Sequence, residues 1–218
     1  WDKAHQYNNI ILYNCSDRLI CESPIFHVYS ISINGWWNNT MTVRKLHNYT
    51  KTAGLLHWLI VGLVAALFCV GWFMTDLPRG AERGYFFALH KSLGLSLFFL
   101  MLLRLWWRYK HTPPPFPETV KPWQQWFASR VHFGFYVLLF IQPMTGYLSS
   151  SFSGYNTKLF GLMLPSWASK NVVVNEFFTS VHQFSSCLLL LLIFLHIGGA
   201  ISHVARDGMV ALRRIRPW

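Results

Sequence analysis

Four apolar runs divide the 218-residue chain, each near the length of about 20 residues that a helix needs to cross ~30 Å of hydrocarbon. Residues 53–74 carry no charge, and residues 85–103 carry only Lys91. Residues 131–150 and 177–201 complete the set. None has the short apolar core and small-residue cleavage site of a removable signal peptide. With 53% hydrophobic and only 12% charged residues, the chain is expected to be an all-α polytopic membrane protein, a bundle of four transmembrane helices.

Lysine and arginine in the loops set the expected orientation, because positive charge is retained on the cytoplasmic side. One side collects Arg44, Lys45, Lys51, Arg104, Arg108, Lys110, Lys121, Arg130, Arg206, Arg213, Arg214 and Arg216. The other has Arg79, Arg83, Lys91, Lys158 and Lys170. Both termini are therefore expected to be cytoplasmic. The net charge of +11 then reflects topology and contact with anionic lipid headgroups, and it does not call for nucleic acid.

Four histidines lie inside these runs: His57 in the first, His90 in the second, His182 and His196 in the fourth. Ionisable groups in hydrocarbon are costly, so each is a functional candidate. His57 and His196 come out ~6 to 9 Å below the inner surface, and His90 and His182 ~7 Å below the outer one, at 1.5 Å of rise per residue. His182 and His196 are 14 residues apart, which brings both imidazoles onto one helical stripe, ~21 Å apart along the axis.

A single membrane histidine is as well explained as an interhelical hydrogen-bond donor. Four at two matched depths favour axial ligation of two haems in the bundle core, where facing helices build cofactor sites. Zinc prefers a compact tetrahedral set with Cys or carboxylate partners, and no Asp or Glu lies within any run. Copper and non-haem iron also accept imidazole, although two separated pairs suit neither well.

From Met41 onward the chain resembles the bacterial cytochrome b561 family, di-haem membrane proteins that include the superoxide oxidase. The likeness is carried by LLHWLIVGL, LHKSLGLSLFFLMLLRLWWR, HFGFYVLLFIQPMTGY and VHQFSSCLLLLLIFLHIGGAISH. It implies two haem b groups, an inner one between His57 and His196 and an outer one between His90 and His182. Iron with both axial positions taken moves single electrons and leaves no open site for oxygen. The resemblance also implies a one-electron donor or acceptor at the outer face and a quinone in the membrane. In the superoxide oxidase branch, superoxide gives its electron to ubiquinone.

Other residues are candidates for the substrate sites. Lys91, next to His90, either snorkels to the surface or faces a haem propionate, where its charge would attract superoxide. Arg79 and Arg83 invite the same reading. Toward the inner end stand Arg104 and His203; His203 can protonate a reduced quinone or sit among headgroups, and it is the one rival to His196 as ligand. His132 is read as an interfacial residue, or as a hydrogen-bonding or quinone-contacting one. Pro143 with Gly146 is expected to kink the third helix, and Gly94, Gly134, Gly198 and Gly199 to permit close approach of a helix or a porphyrin.

The remaining segments are less informative. Residues 111–123, HTPPPFPETVKPW, cannot continue the second helix, and residues 151–175 are expected to form a short interfacial helix, with Trp167 at the headgroups. Residues 1–40 show neither signal-peptide form nor clear periodicity. They are expected to be a non-native product of a translation start placed too far upstream, an unrelated extension, or a short module in which Cys15 and Cys21 pair or bind metal. Cys69 and Cys187 are expected to be packing residues.

Two functional classes follow. One is a freestanding superoxide:quinone oxidoreductase of the bacterial inner membrane. The other is a membrane anchor that links quinone to a separate hydrogenase, dehydrogenase or reductase subunit, and only an anchor should co-purify with a periplasmic protein. A haem-free structural or transport protein, the third possibility, would show no visible absorbance.

Overall fold

The helices begin and end where capping chemistry dictates. In this computed structural model α1 spans Lys51–Asp76, and the side chain of its N-cap Thr50 accepts a hydrogen bond from Ala53 N. It stops at Leu77, just before Pro78, since the residue preceding a proline is driven out of helical geometry. Helix α2 (Ala81–Lys110) gives way to His111 ahead of Pro113. Helix α3 (Pro122–Phe152) has Pro at its first position, where the missing N–H costs nothing. Helix α4 (Val172–Asp207) is capped by Asn171, whose side chain accepts from Val174 N, and ends at Gly208 with φ +69°.

The described residues are 49–116, 120–155, 157–164, 167–209 and 213–216, together with the strand backbones within 5–45. They fall into two compact units, residues 1–48 and 49–218.

The larger unit is an all-α bundle of four helices, each long and apolar enough to cross a membrane. All four outrun the apolar stretches by a few residues. The extra turns carry the aromatic and basic groups suited to headgroups, as at Arg108 and Lys110 of α2 and Trp123 and Trp126 of α3. Leu59, Trp72, Phe99, Leu191 and Phe194 are exposed on the helix faces, the surface that lipid covers. Ile60 and Val64 of α1, Leu97 and Met101 of α2, Leu139 of α3 and Leu189 of α4 form the buried core. Helix α4 packs directly on α3, and α3 on α2, and α2 on α1. Among the described residues no Cα of α4 comes within 8 Å of α1 or α2.

Between α3 and α4 the chain forms a hairpin, β6 (Lys158–Leu159) with β7 (Leu162–Met163), where the sequence suggested a helix. The turn explains the difference: Phe160 and Gly161 both have positive φ, 46° and 94°, which a helix cannot accommodate. Ser92 of α2, 3% exposed, holds the hairpin by donating to Lys158 O at 3.1 Å and accepting from Phe160 N at 2.9 Å.

The smaller unit is a five-stranded antiparallel meander, β1 (His5–Tyr7), β2 (Ile10–Cys15), β3 (Arg18–Glu22), β4 (Val28–Ser32) and β5 (Thr42–Lys45), in sequential order. No element was legible there from sequence. Its register places Cys15 opposite Arg18 and Cys21 opposite Leu12. The expected pairing or metal binding of Cys15 and Cys21 falls on side chains outside the described residues.

Candidate functional site

The histidines of the apolar runs meet in pairs. His57 of α1 faces His196 of α4 with ring centroids 6.2 Å apart and planes at 69°. His90 of α2 faces His182 of α4 at 6.3 Å and 79°. Both pairs span gaps between helices whose backbones do not pack against each other. Leu189, 4% exposed, lies midway between His182 and His196 in sequence and belongs to the core that separates the two levels.

A metal bound by one nitrogen of each opposed imidazole stands about 2 Å from each, and a ring nitrogen lies roughly 1 Å from its ring centre, so the centroids end about 6 Å apart. The two pairs match that span. His132 of α3 also reaches His196, but at 5.3 Å and 63°, too near for an ion between them. It packs edge-on against His196, as Phe135 does at 5.4 Å. Among the described residues no group of three or more His, Cys, Asp or Glu could hold a metal ion. What the described residues offer is two separate couples of opposed imidazoles.

The His90–His182 pair is framed in detail. The Nδ1–H of His182 donates to Gln142 O at 3.0 Å, which leaves Nε2 with the lone pair of a neutral ring. Gln142, 7% exposed, donates from Nε2 to His182 O at 3.1 Å and to Ser185 Oγ at 2.9 Å, and the Thr145 hydroxyl lies 3.3 Å from His182 Nδ1. Glycine flanks each ring. A Cβ on Gly146 would stand 3.2 Å from His182 Cε1, and one on Gly71 3.3 Å from His90 Cε1. His90 Nδ1 is buried without a hydrogen-bond partner among the described residues; the Leu67 carbonyl of α1 is the backbone acceptor on its side. Such an atom is an orphan in a free histidine, and in a ligand it would orient the ring toward that carbonyl.

The His57–His196 pair has cations instead. Arg104 donates to Ala53 O at 3.3 Å and lies near enough to His57, His132 and His196 to act on each electrostatically. Arg108 stands 5.5 Å over the Tyr136 ring and acts on His132. His203, one turn short of the end of α4, has Arg206 Nη2 3.4 Å from its Nδ1.

Lys91 is half-buried in α2 and makes no hydrogen bond or ion pair among the described residues. Arg83 donates to Leu77 O at 3.1 Å, a helix-end contact, and Arg79 is exposed. Of the glycines singled out from sequence, Gly134 marks a close approach, its Cβ position falling 2.8 Å from Leu192 Cδ1; Gly94, Gly198 and Gly199 face open space. Gly71, Gln142, Thr145 and Ser185 were missed. Gln142 carried a signal, an amide in the middle of an apolar run, which is costly in hydrocarbon unless bonded.

The family described as prokaryotic cytochrome b561 matches residues 48–218. Cytochrome b561 homolog 1 of Escherichia coli (strain K12) is 23% identical over 163 residues, covering 72% of this chain and 90% of that protein. Cytochrome b561 homolog 2 of the same organism is 27% identical over 170 residues, covering 77% of this chain and 90% of the relative.

Proposed function

Because this chain belongs to the prokaryotic cytochrome b561 family, bacterial multi-pass membrane proteins that bind haem b and transfer electrons, we propose that it carries single electrons between the outer membrane face and the quinone pool through two bis-histidine haems. The observation that carries this reading is the equality of the two pairs, 6.2 Å for His57 with His196 and 6.3 Å for His90 with His182. His57 with His196 and His90 with His182 would hold the haems, and a haem held by two imidazoles would supply one-electron chemistry.

The chain's own residues divide the work by level. At the outer level, Gln142 and Thr145 hold the His182 ring, while Gly71 and Gly146 keep the space beside both imidazoles clear. Lys91 supplies a cation next to His90 that draws an anionic one-electron donor toward the outer edge. At the inner level Arg104 and Arg108 offer guanidinium partners for haem carboxylates, the pairing that a planar fork suits best. To His203, beside Arg206 at that end, we assign the delivery of a proton to a quinone.

The specific reaction we assign is superoxide:ubiquinone oxidoreductase, with superoxide outside and both termini in the cytoplasm. Two superoxide anions lose one electron each and leave as dioxygen, and ubiquinone takes both electrons with two protons to become ubiquinol. The assignment is tested by supplying superoxide and a short-chain ubiquinone to the purified protein. Ubiquinol formation that stops when superoxide is removed by dismutase supports it. Reduction that occurs only with a co-purifying protein would instead identify a membrane anchor.

A further inference from the structure

On the basic end of the bundle, the first turns of α3 and Phe116 border an open lateral groove of about 480 Å³ lined by Phe116, Pro122, Gln125, Trp126, Ser129, Arg130 and Phe133. That volume falls within the ~300–1,000 Å³ usual for ligand sites. Its polar liners are mostly engaged with backbone: Gln125 Nε2 donates to Val120 O at 2.8 Å, and Ser129 Oγ donates to Gln125 O at 2.8 Å. The exception is Arg130. Its guanidinium stands 5.4 Å over the Trp126 ring and has no hydrogen-bond acceptor among the described residues.

We propose that this groove binds one anionic phospholipid, its phosphodiester on the Arg130 guanidinium and an acyl chain along Phe133. Three observations favour that occupant. Arg130 immediately precedes the apolar run that starts at Val131, so its head stands at headgroup level, where Trp123 and Trp126, 64% and 61% exposed, form the aromatic belt. A guanidinium steadied by an indole and left without a protein acceptor is preorganised for a fork of hydrogen bonds to phosphate oxygens. Finally, Phe116 and Phe133, 41% and 65% exposed, give the groove an apolar wall that a free phosphate would leave unused, and Lys121 beside Pro122 adds a second positive charge that disfavours a choline headgroup. Basic pockets at the cytoplasmic ends of membrane helices recognise lipid headgroups by this combination. The site is independent of the haem assignment.

The test reconstitutes the whole protein in nanodiscs of phosphatidylglycerol mixed with phosphatidylcholine and counts retained lipids by native mass spectrometry. Wild type is expected to keep one phosphatidylglycerol per chain, and Arg130→Gln to hold it about tenfold more weakly, the loss of one charge-assisted contact. Trp126→Leu, which frees the guanidinium without removing it, should fall between the two. Arg79→Gln, an equal charge change at the opposite end, should bind like wild type. Equal retention by wild type and Arg130→Gln, or no preference for phosphatidylglycerol over phosphatidylcholine, overturns the proposal. Displacement of the lipid by millimolar inorganic phosphate or by a short-chain quinone overturns it in favour of those ligands.

Discussion

His182 and Gln142 exchange hydrogen bonds across the α3–α4 interface: the imidazole Nδ1–H donates to the Gln142 carbonyl at 3.0 Å, and the Gln142 amide donates to the His182 carbonyl at 3.1 Å. The exchange fixes ring and tautomer together, so the nitrogen with the free lone pair is Nε2. A buried amide in the middle of a membrane helix is thereby satisfied by the element it positions.

Replacement of Gln142 with leucine keeps the backbone carbonyl that His182 uses but removes the bonds to His182 O and Ser185 Oγ. The expected loss is about 1–3 kcal/mol, the usual effect of breaking a buried hydrogen-bond pair. Thermal unfolding in detergent should show a lowered midpoint, with the Nδ1 bond of His182 retained. An unchanged midpoint would mean that the amide contributes nothing.

Gly71 and Gly146 are expected to be intolerant of a single methyl group. With Cβ positions 3.3 and 3.2 Å from the facing imidazoles, alanine at either must push a ring by a few tenths of an ångström. Gly71→Ala and Gly146→Ala should each weaken or distort the same outer haem, read from the absorbance bands and electron paramagnetic resonance. Gly198→Ala, which meets nothing within 4 Å, should leave both haems as they are.

The helical unit was legible from sequence because bilayer thickness sets a length that any reader can count, and because equal depth and a shared stripe suffice to match His57 with His196 and His90 with His182. The hairpin over residues 158–163 was not legible. Two residues of positive φ decide it, and one of them is Phe160, whose type gives no warning. The glycines were half legible: small residues were noticed, but only spatial neighbours distinguish Gly134, pressed on Leu192, from Gly94, which faces open space. The meander of residues 5–45 was not foreseen, since its strands are short and their alternation is weak. The pairing partners of Gln142 lie 40 and 43 positions away, a separation that local pattern does not encode.

Ser92 is the pin of the β6–β7 hairpin, so Ser92→Ala should release it while the four helices persist. Hydrogen exchange at the Phe160 amide, which now donates to Ser92 Oγ at 2.9 Å, is expected to quicken about tenfold, the equivalent of one modest hydrogen bond. Exchange unchanged across residues 158–163 would show that the hairpin is held by something else.

Close packing of α3 on α4 can be tested through Gly134 and Leu192, whose Cδ1 lies 2.8 Å from the position a Cβ would take. Gly134→Ala should destabilise by no more than about 1 kcal/mol, because the atom in the way is the tip of a leucine side chain that can turn aside. Combined with Leu192→Ala it should cost less than the sum of the two single changes, because each removes the other's clash or void. Additive effects would place the two residues out of contact.

Haem stoichiometry in the histidine series bears most directly on the whole account. Pyridine haemochromogen analysis of the purified protein should give two haems b per chain, and each of His57→Ala, His90→Ala, His182→Ala and His196→Ala should give one. In reduced-minus-oxidised spectra His57→Ala and His196→Ala should lack one component, and His90→Ala and His182→Ala the other. A single haem in the wild type, or His90→Ala and His182→Ala removing different components, would contradict the pairing.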